Sequence, residues 1–201
     1  MERKLNNKYY LMRHGQSTAN KQGLIVSAPD NALNDYGLTL RGANQVLDAA
    51  INTRLNTNTI IVSSDYKRAI ETANIMHSVL GIKTPVIKES LLRERFFGDW
   101  ELSDHNNYNE VWKQDLINPA SSSNKVESVD ETLKRACKAI EKLETLYCDK
   151  TILLVGHGDV LQILGAYYQN ISPRFHRSLN SIGNADIRSL QHNETKQKQS
   201  A

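Results

Sequence analysis

An α/β fold, with a largely parallel sheet covered by helices on both faces, is the architecture to expect from this chain. Four short apolar runs of β type stand at residues 9–13, 59–63, 151–156 and 186–190, with 85–88 a weaker fifth. The segments between them carry apolar residues at helical spacing. Strands that alternate with helices of this length pair in parallel and need cover on each face.

Taken in order, the first run, Tyr9-Tyr10-Leu11-Met12, leads into Arg13-His14-Gly15 and then a polar, helix-opening segment that reaches Asn20. Ala43, Val46, Leu47, Ala50 and Ile51 mark a helix for which Thr39 is the natural N-cap. After the run at 59–63, Ala69, Thr72, Ala73, Met76, Val79 and Leu80 mark a second helix, opened by Ser64 and ended by Gly81. Ser128-Val129-Asp130-Glu131 is a capping box. It starts a long helix with Leu133, Ala136, Cys137, Ile140, Leu143 and Tyr147 on one face. Val160, Leu161, Leu164, Tyr167 and Tyr168 mark the helix after the run at 151–156. Residues 102–127 interrupt the alternation: they are polar, with one short helix around Tyr108, Val111, Trp112 and Leu116, and read as an insertion over one end of the sheet. Residues 1–190 form a single domain in this reading, and 191–201, almost devoid of apolar side chains, a disordered tail.

Composition limits the function classes. With 39% hydrophobic and 23% charged residues, the chain reads as globular and not disordered. A net charge of +3, with basic residues scattered, argues against nucleic acid as a partner. No apolar stretch approaches the ~18 residues of a membrane span, and the N-terminus lacks the apolar core of a signal peptide. Cys137 and Cys148 stand in no ligand pattern, so two reduced, structural thiols in a cytoplasmic protein are expected.

Ligands of open α/β sheets bind beyond the carboxyl ends of the strands. Three strand ends carry Arg13-His14-Gly15, then Ser63-Ser64-Asp65 followed by Arg68, and Gly156-His157-Gly158. If these strands are neighbours, the histidines and arginines converge on one pocket suited to a phosphate monoester. Guanidinium offers phosphate a rigid fork of donors. A neutral imidazole can attack phosphorus and split the transfer into two steps. An acid must then protonate the leaving oxygen, and Glu94, Asp99 and Glu101 all qualify by type. No carboxylate cluster suggests a metal, and no cofactor is implied.

These blocks resemble the histidine phosphatase superfamily, the clan of cofactor-dependent phosphoglycerate mutase and its phosphatase relatives. Arg13-His14-Gly15-Gln16-Ser17-x-x-Asn20 resembles the opening signature, and Leu38-Thr39-x-x-Gly42-x-x-Gln45 the usual start of the following helix. Ser63-Ser64-Asp65-x-x-Arg68-Ala69-x-x-Thr72-Ala73 resembles the second arginine motif. Leu92-x-Glu94-x-x-Phe97-Gly98-x-Trp100-Glu101 resembles the acid loop, and Gly156-His157-Gly158 the second histidine motif. The resemblance implies a three-layer α/β/α sandwich with a short helical insertion over the active site. It implies His14 as the phosphorylated nucleophile, Arg13, Arg68 and His157 as a phosphate clamp with Asn20 a further ligand, and Glu94 as proton donor. The sequence departs from the pattern at Leu102 and Val126, where the family commonly has glycine.

The function so implied is hydrolysis of a small phosphorylated metabolite through phosphohistidine, without a metal. A phosphoglycerate mutase shares the motifs, and a silent phospho-ligand binding protein would be expected to lack the nucleophile or the acid. Arg174, His176 and Arg177 read as a solvated basic turn in preference to a contact for an anionic substrate tail, and Tyr108 and Trp112 as packing of the insertion in preference to lining of the entrance. Substrate identity and oligomeric state are not legible.

Overall fold

The computed structural model describes residues 4–190. Strands β1 (Lys8–Arg13), β2 (Ile60–Ser63), β3 (Ile87–Lys88), β4 (Thr151–Gly156) and β5 (Ile187–Ser189) form one sheet in the order β3-β2-β4-β1-β5. The first four run parallel, and β5 pairs antiparallel with β1 at the edge. Around the sheet stand α1 (Thr18–Gln22), α2 (Pro29–Ala32), α3 (Leu40–Asn52), α4 (Lys67–Val79), α5 (Tyr108–Ile117), α6 (Val129–Leu146) and α7 (Gly158–Tyr168).

The period of two along each strand divides the core into layers. Tyr9, Leu11, Ile152 and Leu154 face α6 and α7, where Ile140, Leu143, Leu161 and Leu164 meet them. Met12, Ile61, Leu153 and Val155 face the other way, against Val46 and Ala50 of α3 and Ala69, Ala73 and Met76 of α4. Each such large apolar side chain contributes roughly 1.5–3 kcal/mol by leaving water. The two-sided burial explains why the central strands read as continuous apolar runs.

The helix starts follow the sequence in most places. Thr39 Oγ1 accepts from Gly42 N at 3.0 Å, and Ser128 exchanges bonds with Glu131 in a complete capping box. Ser64 departs from expectation. It lies fully buried at the end of β2, and Tyr66 occupies the cap position of α4 without a side-chain bond. On α3 the buried face is narrower than the apolar pattern suggests: Gly42, Val46 and Ala50 turn inward, whereas Ile51 is 71% exposed. Cys137 packs against the core, but Cys148 is exposed and fills no packing role. The tail at 191–201 lies outside the described residues.

The insertion folds as the short helix α5 between single turns of 3-10 helix. Phe97 and Val111 pack with Ile25 and Val126 beneath it. Of the two departures from the family pattern, Leu102 has a physical consequence. Its φ is 61°, the left-handed region that favours glycine, while its side chain is 45% exposed. Val126 has an ordinary extended backbone and is buried, so nothing there calls for glycine.

Candidate active site

The sheet order brings the three motif-bearing strand ends side by side, with β4 between β1 and β2. Arg13 pairs in register with Gly156, and His14 N donates to Gly156 O at 3.0 Å. On the other side of β4, Ser64 N donates to Val155 O at 2.9 Å. The His14 and His157 rings therefore meet edge to face, with centroids 5.2 Å apart.

Each ring is held in a definite orientation. His14 Nδ1 lies 2.7 Å from Gly15 O, which can only accept, so the proton is on Nδ1 and the lone pair on Nε2. Arg68 Nε donates to that Nε2 at 3.1 Å. His157 Nε2 is 2.9 Å from Ser64 Oγ, which itself accepts from Tyr66 N at 3.3 Å. The serine hydroxyl can donate to Nε2, the arrangement that puts the proton of His157 on Nδ1. Burial first, then the Arg68 charge, holds both rings well below the usual histidine pKa, so both are neutral near pH 7.

The guanidiniums of buried Arg68 and half-buried Arg13 are only partly satisfied. Arg68 Nη2 donates to Val26 O at 2.9 Å and Arg13 Nη1 to Ile182 O at 3.0 Å. Arg68 Nη1, Arg13 Nε and His157 Nδ1 are buried with no hydrogen-bond partner among the described residues. Unpaired buried donors of this kind cost about 1–3 kcal/mol each. Gathered at one set of strand ends beside a neutral imidazole, they form a surface that can bind an oxyanion.

The loop that carries His14 is clamped by the residues around it. A Cβ on Gly15 would stand 2.4 Å from Gly42 O, and one on Gly42 would stand 2.1 Å from Gln16 O. Glycine at both positions lets the start of α3 press against the loop. Gln45 Oε1 accepts from Gln16 N at 2.9 Å, and Thr72 Oγ1 accepts from Gly15 N at 3.1 Å. Thr72 in turn donates to Arg68 O at 2.8 Å, tying α4 to the same loop.

Among the three candidate acids, the surroundings separate the roles. Glu101 accepts from Ser27 N, Ser27 Oγ and Asn31 Nδ2 and so fastens two loops, and Asp99 pairs with Lys125 at the surface. Glu94 lies half-buried at the N-terminus of α7, accepting from Arg95 N at 2.9 Å and Val160 N at 3.4 Å. Burial, and then the Asp159 charge, raise its carboxyl above the usual range against the pull of Arg68. Glu94 lines a cavity of about 410 Å³ together with Arg13, Asn20, Asp159 and Arg177. Asn20 Oδ1 is committed to Ser17 N and to Asn184 Nδ2, while Asn184 also donates to His14 O.

The far wall holds what sequence reasoning missed. His176 is fully buried, not solvated: its Nδ1 bonds Pro173 O at 3.0 Å, and its Nε2 lies 3.9–4.0 Å from Asp159 and Asp115. Arg177 stacks on Trp112, with its guanidinium carbon 3.8 Å from the ring centroid, and Trp112 stacks in turn on Tyr108. Trp112 Nε1 donates to the Asp159 carboxylate at 3.0 Å. Asp159 was hidden because an acidic residue in the first turn of a helix reads as a complement to the dipole. His176 lies in a short 3-10 segment with no periodicity to reveal its burial.

Comparison with known proteins accords with this geometry. A profile of the histidine phosphatase superfamily (branch 1) matches residues 9–200. The chain belongs to that superfamily. Among its curated relatives, a 2,3-bisphosphoglycerate-dependent phosphoglycerate mutase of Cytophaga hutchinsonii is 31% identical over 170 residues, 81% of this chain and 78% of the relative. A probable phosphoglycerate mutase of Photorhabdus laumondii is 31% identical over 160 residues, 77% of this chain and 71% of the relative. Among solved structures, a mycobacterial hydrolase superposes with a TM-score of 0.75 at 23% identity, covering 90% of this chain and 86% of that one. A putative alpha-ribazole-5'-P phosphatase of Escherichia coli gives 0.71 at 24%, covering 90% and 88%. At these identities the structural likeness establishes the fold.

Proposed function

We propose that the protein is a phosphomonoesterase that hydrolyses a small phosphorylated metabolite through phosphohistidine at His14. The observation that carries this reading is the fixed tautomer of His14, with its Nε2 lone pair beside unpartnered guanidinium N–H groups. An arriving phosphoryl group takes over the Arg68 Nε–H bond and frees that lone pair. Nε2 attacks phosphorus, and the bond from phosphorus to the ester oxygen breaks. Glu94, protonated beforehand, gives its proton to the departing alkoxide. Ionised Glu94 then takes a proton from water, whose oxygen attacks phosphorus. The P–N bond breaks, its electron pair returns to Nε2, and phosphate leaves. Arg13, Arg68 and the Nδ1–H of His157 hold the equatorial oxygens throughout, and Asn20 Nδ2 adds a donor from the cavity. No step is routed through a metal.

The mutase names of the curated relatives favour a second reading, in which the phosphoryl group returns to another substrate hydroxyl. Against it stands the cavity wall: Arg13 and Arg177 are the Lys or Arg side chains among its described lining residues, and Arg177 already faces Asp159. A bisphosphorylated, carboxylate-bearing intermediate calls for more cations than that. Two assays separate the readings. Phosphate release from p-nitrophenyl phosphate is expected from the native enzyme, with a loss of about 10⁴-fold or more in His14→Ala. With 3-phosphoglycerate and a bisphosphoglycerate primer, little 2-phosphoglycerate is expected; its rapid formation without phosphate release would make the protein a mutase.

A further inference from the structure

The cavity beyond Arg13 and Glu94 has a wall whose charges are already matched. Arg177 Nη1 lies 3.7 Å from Asp159 Oδ1 and also donates to Gln162 Oε1. Behind it, Arg95 grips Asp115 through two bonds of 2.6 and 2.7 Å and reaches Asp159 at 3.5 Å. The cluster therefore sets two guanidiniums against two carboxylates, with His176 buried between the acids. Burial lowers the His176 pKa despite those neighbours, so the ring adds no charge near pH 7.

Asp159 nevertheless keeps acceptor capacity. A carboxylate offers about four lone-pair sites; among the described residues its hydrogen-bond donor is Trp112 Nε1, with Arg95 and Arg177 at the longer distances of 3.5 and 3.7 Å. The rest of the wall is mostly polar and free of Lys, Arg, Asp and Glu among the described residues, with Asn106, Asn109, Gln162, Ser181 and Asn184 beside His105, interrupted by Leu24 and the Tyr108 and Trp112 rings.

Resting on the phosphohistidine reading, we infer that Asp159 and Arg177, joined through Trp112, are specificity-determining residues that select an uncharged, polyhydroxylated leaving group, as in a sugar or polyol monophosphate. A second phosphate or a carboxylate would compete with Asp159 for Arg177 and approach the Asp159 carboxylate. An ammonium would approach Arg177. Hydroxyl groups are served by both members of the pair, donating to the carboxylate and accepting from the guanidinium, while the amides take the remainder. A site built to bond hydroxyls rejects analogues that leave its polar groups unpaired. The cavity volume of about 410 Å³ suits one small ligand.

The test compares kcat/KM for glucose 6-phosphate and sorbitol 6-phosphate with that for 3-phosphoglycerate, fructose 1,6-bisphosphate and phosphoethanolamine. p-Nitrophenyl phosphate reports the phosphohistidine chemistry alone. The native enzyme is expected to favour the uncharged polyol esters about tenfold or more over each charged probe. Arg177→Gln, at the partly exposed rim, is expected to lower kcat/KM for the polyol esters, chiefly through KM, about tenfold more than for p-nitrophenyl phosphate. Asp159→Asn should act in the same direction. A native preference for any charged probe would overturn the inference, as would equal losses on polyol and p-nitrophenyl esters in Arg177→Gln. If p-nitrophenyl phosphate turnover does not depend on His14, the phosphohistidine reading falls and this inference with it. If turnover depends on His14 and the polyol preference is absent, only the inference falls.

Discussion

The strand-end cluster that forms the floor of the site and the far wall of the adjoining cavity differ in how they are assembled and in how they carry charge. On the floor, His14, Arg68 and His157 each lie within a few residues of a strand end, and the parallel register of β1, β4 and β2 alone brings them together. Across the cavity, Trp112, Asp159, His176 and Arg177 come from α5, α7 and a 3-10 segment, and meet only because side chains interlock. The floor leaves Arg13 Nε, Arg68 Nη1 and His157 Nδ1 unpartnered, whereas the wall matches guanidinium with carboxylate. The floor can thus take a charged group that the wall has no spare charge to hold. In the proposed reading, reaction and selection are carried by different parts of the fold.

The largest expected effect probes the junction of the two regions. Glu94→Gln keeps the shape and removes the proton, so kcat is expected to fall about 10²–10⁴-fold. The pH profile gives the sign. His14 must be neutral, so activity falls as pH drops through its lowered pKa. Glu94 must be protonated, so activity falls as pH rises through its raised pKa, and the alkaline limb should vanish in Glu94→Gln. Because the folded-state pKa of Glu94 is raised, this group costs stability once pH exceeds its unfolded value. Glu94→Gln should therefore melt higher than the native protein at pH 7. A lower melting temperature would mean that the acid is structural.

Next in size is the wall's foundation. Asp115→Asn takes the charge from the partner of Arg95, a guanidinium only 1% exposed. Breaking such a pair costs about 3–5 kcal/mol, a fall in Tm of about 10 °C. If the regions are separate, polyol selectivity suffers more than p-nitrophenyl phosphate turnover. The smallest effect belongs to neither region. Leu102→Gly relieves a left-handed backbone at an exposed side chain and should raise Tm by about 2 °C, with unchanged kinetics. A lowered Tm would show that the Leu102 side chain outweighs its backbone strain.

The same contrast explains what the sequence disclosed. The period of two in Met12, Leu153 and Val155 against Leu11, Ile152 and Leu154 made the sheet legible, and caps such as Thr39 and Ser128 fixed helix starts to within a residue. The floor was legible because its residues are adjacent to those strands in the chain. Glu94 was separated from Asp99 and Glu101 by resemblance alone, since composition cannot tell a carboxylate that fastens loops from one that faces a cavity. Ser64 misled because a serine ahead of a helix looks like a cap, whereas its hydroxyl orients His157. The burial of His176 and the coupling of Trp112 to Asp159 arise from contacts across 17 to 61 residues of chain, and no local pattern encodes them.

The central claim is that the lone pair of His14 becomes a bond to phosphorus. The most direct measurement mixes enzyme with a phosphorus-labelled monoester, quenches within milliseconds and locates the label by peptide mass spectrometry. An acid-labile, alkali-stable phosphoryl group on His14, formed and discharged at the rate of turnover and absent from His14→Ala, is the expected result. Full turnover with no phosphoenzyme, or with the label on another residue, would contradict the account.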